Sequence, residues 1–407
     1  MVAFPLSHRT AAILLLSSLF AFPGLRLGAQ SRPYVLVVSM DAFRWDYPER
    51  YGATNILRFG QEGVRAHALR PCFPSKTFPN HYTLATGLVP ARHGIVNNSF
   101  HDPLSGRDYR ISDRAAVMDG TFYGGEPIWA TAENQGVRSA CFYWVGSEAA
   151  INGVSPTYWK KYQHDFPYDQ RIDTVVHWFS LPSARRPHLV MLYFDQPDGV
   201  GHDHGPEHPE TGQVVLQLDS LFGRLLEAMQ GLAVADSLNI ILLSDHGMGP
   251  IHPDQSLRLD SILDTTWVVR AKGGNPVFNL EVRDGFEDSV MFRLERTPHL
   301  LAWRQGEGPD HLRYSEHPRL LDVTVLADSA WSIHWGEPSG YSAATHGFDP
   351  ANKDMHAIFM AKGPAFRQGL IIPSFENVYV YDIMLYVLRL KTDDYVLSVM
   401  FRNKYRT

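Results

Sequence analysis

The fold is decided by residues 34–41, YVLVVSMD, a run of mostly apolar and β-branched residues that ends at Asp41. Such a run is typical of a strand that is buried on both faces of a parallel sheet. Two further runs of this kind, each leading into an acid, are residues 188–198 and 238–245. Because ligands gather at the carboxyl ends of the strands in open α/β sheets, these acidic strand ends predict one shared crevice.

Six acids and histidines belong to this pattern. They are Asp41, Asp198, His202, Asp245, His246 and His346. A single aspartate after a strand is usually a turn residue or a helix cap. Here, however, Asp198 and His202 are four residues apart, Asp245 and His246 are adjacent, and His346 lies beside a glycine. Because carboxylate oxygens and histidine nitrogens are common zinc ligands, the joint occurrence favours a metal site.

Thr77 is predicted to lie at the start of a helix, because Pro79 suits a first helical turn and Gly87 suits a helix end. The free N–H groups at such a position favour a phosphate. A plain helix cap is the alternative role for Thr77. A metal that lowers the pKa of its alcohol would make it a nucleophile. With the six acids and histidines, Thr77 makes seven groups that divide between two zinc ions, and spacing leaves open which ion each group serves.

Residues 1–29 have the pattern of a secretory signal peptide. His8 and Arg9 precede an apolar run, and the small residues at 28–29 offer a cleavage site. A buried N-terminal helix or a membrane anchor is the alternative. No second apolar span follows, so we expect no membrane span once the signal is removed.

The chain of 407 residues is acidic, with 43 acidic and 37 basic side chains. Without the two arginines of the signal, 35 basic residues remain against 43 acidic ones, a net charge near −8. This balance argues against sequence-specific binding of nucleic acid. Cys72 and Cys141 could form one disulfide or lie as two buried thiols, and the sequence leaves both open.

Helical and strand patterns alternate along the chain. A helix is predicted from residue 126, a strand over 137–144 and a helix over 211–232. This alternation predicts an α/β fold with a mostly parallel central sheet and helices on both faces. From about 251 to 341 the pattern weakens into short runs, which predicts a smaller inserted lobe that forms one wall of the site. We expect residues 30–407 to form one catalytic domain that carries this lobe.

Five ordered motifs stand out: KTFPNHY at 76–82, GIVNN at 94–98, PDGVGH at 197–202, SDHGM at 244–248 and HGFD at 346–349. They resemble the motifs of the nucleotide pyrophosphatase/phosphodiesterase family, within the alkaline phosphatase superfamily. The resemblance runs from about Tyr34 to Phe366, nearly the whole mature chain. It implies an alkaline phosphatase-like fold.

The resemblance also implies how the seven groups are divided. One zinc, which activates the nucleophile, would be held by Asp41, Thr77, Asp245 and His246. The other zinc would be held by Asp198, His202 and His346. Thr77 would be the covalent nucleophile, and the amide of Asn98 would donate to a phosphate oxygen beside it.

The predicted substrate-binding residues are Lys76, Phe78, Asn98 and Tyr162. Phe78 and Tyr162 resemble the two aromatics that hold the nucleobase in the family, although both could instead be core residues. Lys76 resembles a lysine that assists the reaction in the family. The alternative is that it is an ordinary surface charge. Asn97 begins a nominal glycosylation sequon, but a glycan there would crowd the site. Gln196 stands where many relatives have an acid, which puts any role of that acid in doubt.

These features predict a secreted or periplasmic enzyme with two zinc ions. It would hydrolyse nucleotide phosphodiester or pyrophosphate bonds to nucleoside 5'-monophosphates through a threonyl-phosphoryl intermediate. A phosphomonoesterase or a phospholipid-headgroup phosphodiesterase of the same fold is the alternative. A monoesterase must neutralise an extra phosphate charge, whereas a neutral Asn98 suits a diester. A zinc-dependent binding protein without activity would lack a ligand or the nucleophile, and none is missing here.

Overall fold

The strand predicted at residues 34–40 lies in the middle of an eight-stranded sheet in a computed structural model, which describes residues 32–391 except 338, 339 and 341. In chain order the strands are β1 Tyr34–Met40, β2 Val64–Ala66, β3 Leu69–Arg70, β4 Ser99–Asp102, β5 Arg107–Arg110, β6 Ser139–Phe142, β7 Tyr158–Lys160, β8 Leu189–Phe194, β9 Leu238–Leu243, β10 Gly249–Pro250, β11 Ser256–Arg258, β12 Val268–Gly274, β13 Val277–Val282, β14 Leu300–Arg304, β15 Val323–Ala327, β16 Ser332–His334, β17 Ala344–Thr345, β18 Phe359–Lys362, β19 Leu370–Ile372 and β20 Phe375–Glu376.

The strand order of the central sheet is β19-β2-β18-β9-β1-β8-β6-β7. β1 pairs in parallel with β8 and β9, β6 pairs in parallel with β8 and β7, and β19 pairs in parallel with β2. β18 is antiparallel to both of its neighbours. The prediction of a mostly parallel α/β sheet is therefore confirmed.

Most of the helices pack against this sheet and connect its strands, whereas Leu259–Ile262 and Glu287–Leu294 belong to a separate hydrophobic core. The helices are Tyr47–Tyr51, Thr54–Glu62, Thr77–Thr86, Pro90–His93, Arg114–Val117, Ile128–Asn134, Tyr168–Ser180, Asp198–His204, Pro209–Gln230, Leu259–Ile262, Glu287–Leu294 and Tyr379–Leu388. The predicted helices from 126 and over 211–232 correspond to Ile128–Asn134 and Pro209–Gln230. In the part of the chain that the structure describes, no helix is both long and apolar enough to cross a bilayer.

β1 is buried on both faces, as its sequence predicts. Val35 and Val37 belong to the hydrophobic core on one side of the sheet, and Leu36 and Val38 belong to the core on the other side. Successive side chains of a strand point to opposite faces, so an unbroken apolar run is what a sheet covered on both sides requires. The strand ends are thereby held in fixed positions.

A second sheet lies within residues 251–341, where the sequence predicts an inserted lobe. Its order is β12-β13-β15-β14, all antiparallel, over a hydrophobic core of its own. The turn between β12 and β13 reaches the segment that precedes Thr77, because Nζ of Lys76 donates to the carbonyl of Asn275 at 2.8 Å. The division of residues 30–407 into a catalytic domain and an inserted lobe remains a prediction.

Candidate active site

The three predicted acids lie near one another because their strands are neighbours. Asp41 follows β1, Asp245 follows β9, and Asp198 begins the helix after β8. Since β1 lies between β9 and β8 and runs parallel to both, all three carboxyl ends open on the same edge of the sheet. This edge forms the shared crevice that the strand pattern predicts.

Asp41, Asp245 and His246 form a buried group whose candidate ligand atoms all lie within 4.8 Å of one another. Nε2 of His246 is 3.0 Å from Oδ2 of Asp245 and 3.4 Å from Oδ1 of Asp41. Oγ1 of Thr77 is 3.2 Å from the same nitrogen. Four of the seven predicted groups therefore converge on one point.

Asp198, His202 and His346 form a second group, again with ligand atoms within 4.8 Å of one another. Oδ1 of Asp198 is 3.5 Å from Nε2 of His202, one helical turn later, and 3.4 Å from Nε2 of His346. The two groups touch, because the rings of His246 and His346 are stacked with their centroids 3.7 Å apart. The remaining three predicted groups thus form a separate point beside the first.

The histidines of both groups present the same ring nitrogen to the acids. In each, Nδ1 lies 2.8–2.9 Å from a backbone carbonyl; the carbonyls belong to Ala344, Gly247 and Ser75 for His202, His246 and His346 respectively. Because a carbonyl only accepts, Nδ1 carries a proton, and in the neutral ring Nε2 then has the lone pair. Metal-binding histidines in proteins typically have this outer hydrogen bond.

Each acid has one buried oxygen without a hydrogen bond: Asp41 Oδ1, Asp198 Oδ1 and Asp245 Oδ2. These are the atoms that face the Nε2 atoms. A buried carboxylate oxygen without a partner is costly, and a bound cation would remove that cost. The unpaired oxygens and the Nε2 lone pairs therefore fit a divalent metal such as zinc at each point.

The charges around the two points favour a cation as well. Burial, together with the carboxylates of Asp245 and Asp198, raises the pKa of Asp41 well above its usual range. Burial, together with His246 and His202, holds the pKa of His346 well below its usual range. Carboxyl groups that repel one another beside the neutral imidazole of His346 are a donor set that a divalent cation stabilises.

Thr77 is the first residue of the helix Thr77–Thr86, and the capping position belongs to Lys76. Thr77 is therefore not the helix cap that was its alternative role. Oδ1 of Asn98 accepts a hydrogen bond from the backbone N–H of Phe78 at 3.1 Å. This contact leaves the Asn98 amide nitrogen as a donor at the start of the helix. The N–H of Phe78 is thereby engaged, Pro79 has none, and the N–H of Asn80 donates to the carbonyl of Lys76 at 3.0 Å, so the N–H of Thr77 is the one left for an anion.

The sequence did not predict two residues that contact the acids. Tyr193 donates its hydroxyl to Oδ2 of Asp41 at 2.5 Å. Nδ1 of His81 hydrogen-bonds to the carbonyl of Thr77 at 3.0 Å and lies 3.2 Å from Oδ2 of Asp245 without a hydrogen bond to it. His81 follows Thr77 by four residues, so helical spacing could have placed it on the same face. Tyr193 lies inside an apolar strand run, which gives no such signal.

A cavity of about 700 Å³ opens beside Asp41 and Thr77. Phe78 and Tyr162 both line it, so the structure brings the two predicted aromatics to the same cavity as the threonine. Much of the remaining wall is apolar, from Ile111, Val117, Trp144 and Val145. The cavity is large enough for a nucleoside-sized group.

Lys76 is engaged elsewhere. Its ammonium donates to the carbonyls of Gly274 and Asn275 at 3.0 and 2.8 Å, and burial lowers its pKa to about 8. These bonds connect the start of the helix Thr77–Thr86 to the second sheet. Direct contact of Lys76 with substrate remains a prediction that this geometry does not favour.

The structure also shows the contacts of Asn97 and Gln196. Asn97 is fully buried, which leaves no room for a glycan in the folded chain. Gln196 lines the cavity, and its Oε1 accepts the backbone N–H of Val200 at 3.2 Å. Its neighbour Asp195 lies 3.0 Å from the guanidinium of the buried Arg171.

A mostly parallel sheet with acids at three adjacent strand ends is of the alkaline phosphatase-like class. The chain belongs to the type I phosphodiesterase / nucleotide pyrophosphatase family, whose sequence profile matches residues 35–349. The resemblance of the five motifs is thereby confirmed.

Several known proteins of this family are similar to the chain in sequence. Mouse ectonucleotide pyrophosphatase/phosphodiesterase family member 3 is 32% identical over 372 residues, which are 88% of this chain and 42% of that protein. The venom phosphodiesterase CdcPDE of Crotalus durissus collilineatus is 34% identical over 377 residues, which are 89% of this chain and 45% of that protein. The chain thus spans less than half the length of these curated relatives.

Solved structures match the fold over nearly its full described length. Murine ectonucleotide pyrophosphatase/phosphodiesterase 5 has a TM-score of 0.84 and 30% identity, and the match covers 88% of this chain and 95% of that one. An inactive variant of the same murine protein, in complex with AMP, also has a TM-score of 0.84 and covers 88% and 96% of the two chains.

Proposed function

We propose that the chain is a zinc-dependent hydrolase of nucleotide phosphodiester or pyrophosphate bonds, releasing nucleoside 5'-monophosphates through a threonyl-phosphoryl intermediate. The observation that carries this proposal is the position of Thr77. Its alcohol lies 3.2 Å from Nε2 of His246 and opens onto the cavity that Phe78 and Tyr162 line. A nucleophile, two donor groups and an aromatic cavity thus meet at one place.

Two zinc ions are proposed, one for each donor group. Asp41, Thr77, Asp245 and His246 would hold the first, and Asp198, His202 and His346 would hold the second. When bound, such ions lower the pKa of an alcohol and stabilise the attacking and leaving oxygens of an in-line displacement. The orphan oxygen of each acid and the Nε2 lone pair of each histidine support this assignment.

In the first step, Oγ1 of Thr77 attacks phosphorus and the bond from phosphorus to the leaving oxygen breaks. The Thr77 proton passes through solvent to the leaving oxygen, and the nucleoside 5'-phosphoryl group stays on Oγ1. In the second step, water attacks the same phosphorus, the bond from phosphorus to Oγ1 breaks, and one proton of that water returns to Oγ1. The Asn98 amide and the backbone N–H of Thr77 at the start of the helix would donate to the non-bridging oxygens throughout.

The nucleoside would enter the cavity between Phe78 and Tyr162. Aromatic rings stack on any nucleobase, so the base preference would be broad. The murine structure in complex with AMP supports a nucleotide substrate in this family. A neutral donor at Asn98 suits the single charge of a diester better than the extra charge of a monoester.

We also propose that the enzyme is secreted or periplasmic, on the pattern of residues 1–29. Those residues lie outside the described part of the chain. Comparison of the N-terminus of the exported protein with the sequence would test this: a mature chain that begins at Gln30 is expected, and retention of Met1 would contradict it.

Rates on three chromogenic esters test the activity. They are p-nitrophenyl thymidine 5'-monophosphate, p-nitrophenyl phosphate and p-nitrophenylphosphorylcholine, which share one leaving group. We expect kcat/KM for the nucleotide diester to exceed the other two by at least about a hundredfold, because only this ester fills the aromatic cavity. A preference for p-nitrophenyl phosphate would mean a phosphomonoesterase, and a preference for the choline ester would mean a headgroup phosphodiesterase.

A further inference from the structure

One wall of the cavity is built from three separate chain segments. They are residues 111–117, residues 143–148 and residues 162–164, and each contributes side chains that line the cavity. The middle segment is fixed to the nucleophile helix, because the indole N–H of Trp144 donates to the carbonyl of His81 at 3.0 Å. Residues 111–117 and 162–164 are joined to the middle segment by a different contact.

Glu148 supplies that connection. Its side chain is only 7% exposed and forms an ion pair with Arg114, from the first segment. The same carboxylate oxygen, Oε2, accepts the backbone N–H of Tyr162 at 3.2 Å, from the third segment. One carboxylate therefore joins all three parts of the wall.

The ring of Tyr162 is held from a second direction. The ring of Tyr143 meets it edge-on, with centroids 5.0 Å apart. Tyr143 has a φ of 68°, a left-handed conformation that is uncommon for a bulky residue and costs about 1–3 kcal/mol. Such strain persists only where the surrounding structure maintains it, and here it places an aromatic ring behind Tyr162.

We propose that the Arg114–Glu148 ion pair is a positioning device that holds Tyr162 opposite Phe78, and so sets the preference of the enzyme for diesters that carry a nucleoside. This inference rests on the proposed function. Arg114 and Glu148 act through Tyr162: they take no part at phosphorus and lie among the residues that line the nucleoside end of the cavity. Their loss weakens binding of the nucleoside and leaves the chemical step intact.

A graded series of substitutions tests the device. Glu148→Ala removes both the ion pair and the acceptor for the Tyr162 N–H. Glu148→Gln removes the charge but keeps an oxygen that accepts this N–H, and Arg114→Gln removes only the ion pair. Arg110→Gln is the matched control, since Arg110 is an exposed arginine four residues earlier, at the end of β5.

Steady-state kinetics are compared on p-nitrophenyl thymidine 5'-monophosphate and on methyl p-nitrophenyl phosphate, a diester without a nucleoside. We expect Glu148→Ala to raise KM for the nucleotide about tenfold, as for loss of a stacked base, with kcat within about twofold. Glu148→Gln and Arg114→Gln should raise this KM by about two- to fivefold. The methyl diester and the control should change by less than about twofold.

Binding of AMP to the zinc-loaded variants, measured by calorimetry, gives a second readout, and its Kd should follow the same order. Equal losses on both diesters, or a fall in kcat alone, would overturn the positioning role. Should Glu148→Ala not fold, Arg114→Gln decides the matter, because that side chain is 34% exposed and its replacement leaves the core intact. A wild-type enzyme inactive on both diesters would instead overturn the proposed function itself.

Discussion

Asn98 uses its two side-chain atoms in different ways. Oδ1 accepts the N–H of Phe78, which fixes the amide plane, and Nδ2 is left to donate beside Thr77. A single side chain thus couples the start of the nucleophile helix to the proposed phosphate position. Its role can be separated from that of the helix.

Asn98→Ala should lower kcat/KM for nucleotide diesters by about 10²-fold, as for removal of one oxyanion donor. Asn98→Asp keeps an acceptor for the Phe78 N–H but loses the donor, so it should be at least as slow. Full activity of Asn98→Asp would mean that only the contact with Phe78 matters. Rates are measured at saturating zinc, so that metal loss does not contribute.

Thr77→Ala should lower kcat by at least about 10³-fold, because the covalent route is lost. Thr77→Ser keeps an alcohol at the same place and should retain part of the rate. Ser112→Ala is the control, since this alcohol also lines the cavity but belongs to neither donor group. Near-normal turnover by Thr77→Ala would favour a water molecule as the nucleophile.

The sequence predicts the position of a site residue well where the pattern of a single strand or helix is enough to place it. Asp41 and Asp245 each end an apolar run, and the motif at 76–82 marks Thr77. Contacts made between elements were less predictable. Tyr193 reaches Asp41 only because β8 lies beside β1, and Glu148 meets Arg114 and Tyr162 only in the folded chain. Such contacts depend on strand order, which local pattern does not contain.

At the scale of elements, the length of a strand determined whether the sequence could predict it. Long apolar strands such as β1, β8 and β9 were evident, whereas β10 and β17 have two residues each. Those two strands exist because they pair with each other across almost a hundred residues, and their pairing leads directly to His346. Periodicity has no meaning over two residues, so only tertiary structure could reveal them.

The C-terminal helix Tyr379–Leu388 carries a buried acid whose protonation should affect stability. Burial raises the pKa of Asp382 to about 7 from its ordinary 3.8. A group whose pKa is raised on folding contributes stability that is complete below its unfolded pKa and is lost as pH rises through the folded one. For Asp382 this loss falls between about pH 4 and 7.

Asp382→Asn should therefore stabilise the protein, and its advantage over the wild type should grow by roughly 1–3 kcal/mol between pH 5 and pH 8. Denaturant unfolding at the two pH values measures this difference. Asp173→Asn, an exposed acid on another helix, should show no such growth. A constant difference between wild type and Asp382→Asn would contradict the assigned protonation.

At the scale of the molecule, each donor group is assembled from distant parts of the chain. Asp41 meets Asp245 and His246, and Asp198 meets His346, so neither point exists before the central sheet has formed. Metal that binds only the folded protein stabilises it by mass action. Without metal, one buried oxygen of each acid at these points has no hydrogen-bond partner.

Chelation should therefore lower the Tm by about 5 °C or more, and it should abolish turnover. Zinc should restore both, and magnesium should not, because it binds poorly to imidazole nitrogen. Metal analysis of the active protein should find two zinc ions per chain. Less than one zinc per active chain would contradict the mechanism.

Cys72 and Cys141 are both free thiols and both buried, and burial raises the pKa of each above its ordinary value. Neither thiol therefore presents a reactive thiolate to solvent, and the fold has no covalent cross-link between them. Reducing agents should accordingly leave its thermal stability unchanged. The fold therefore needs no oxidant to form, and its covalent bonds are the same in a reducing and in an oxidising compartment.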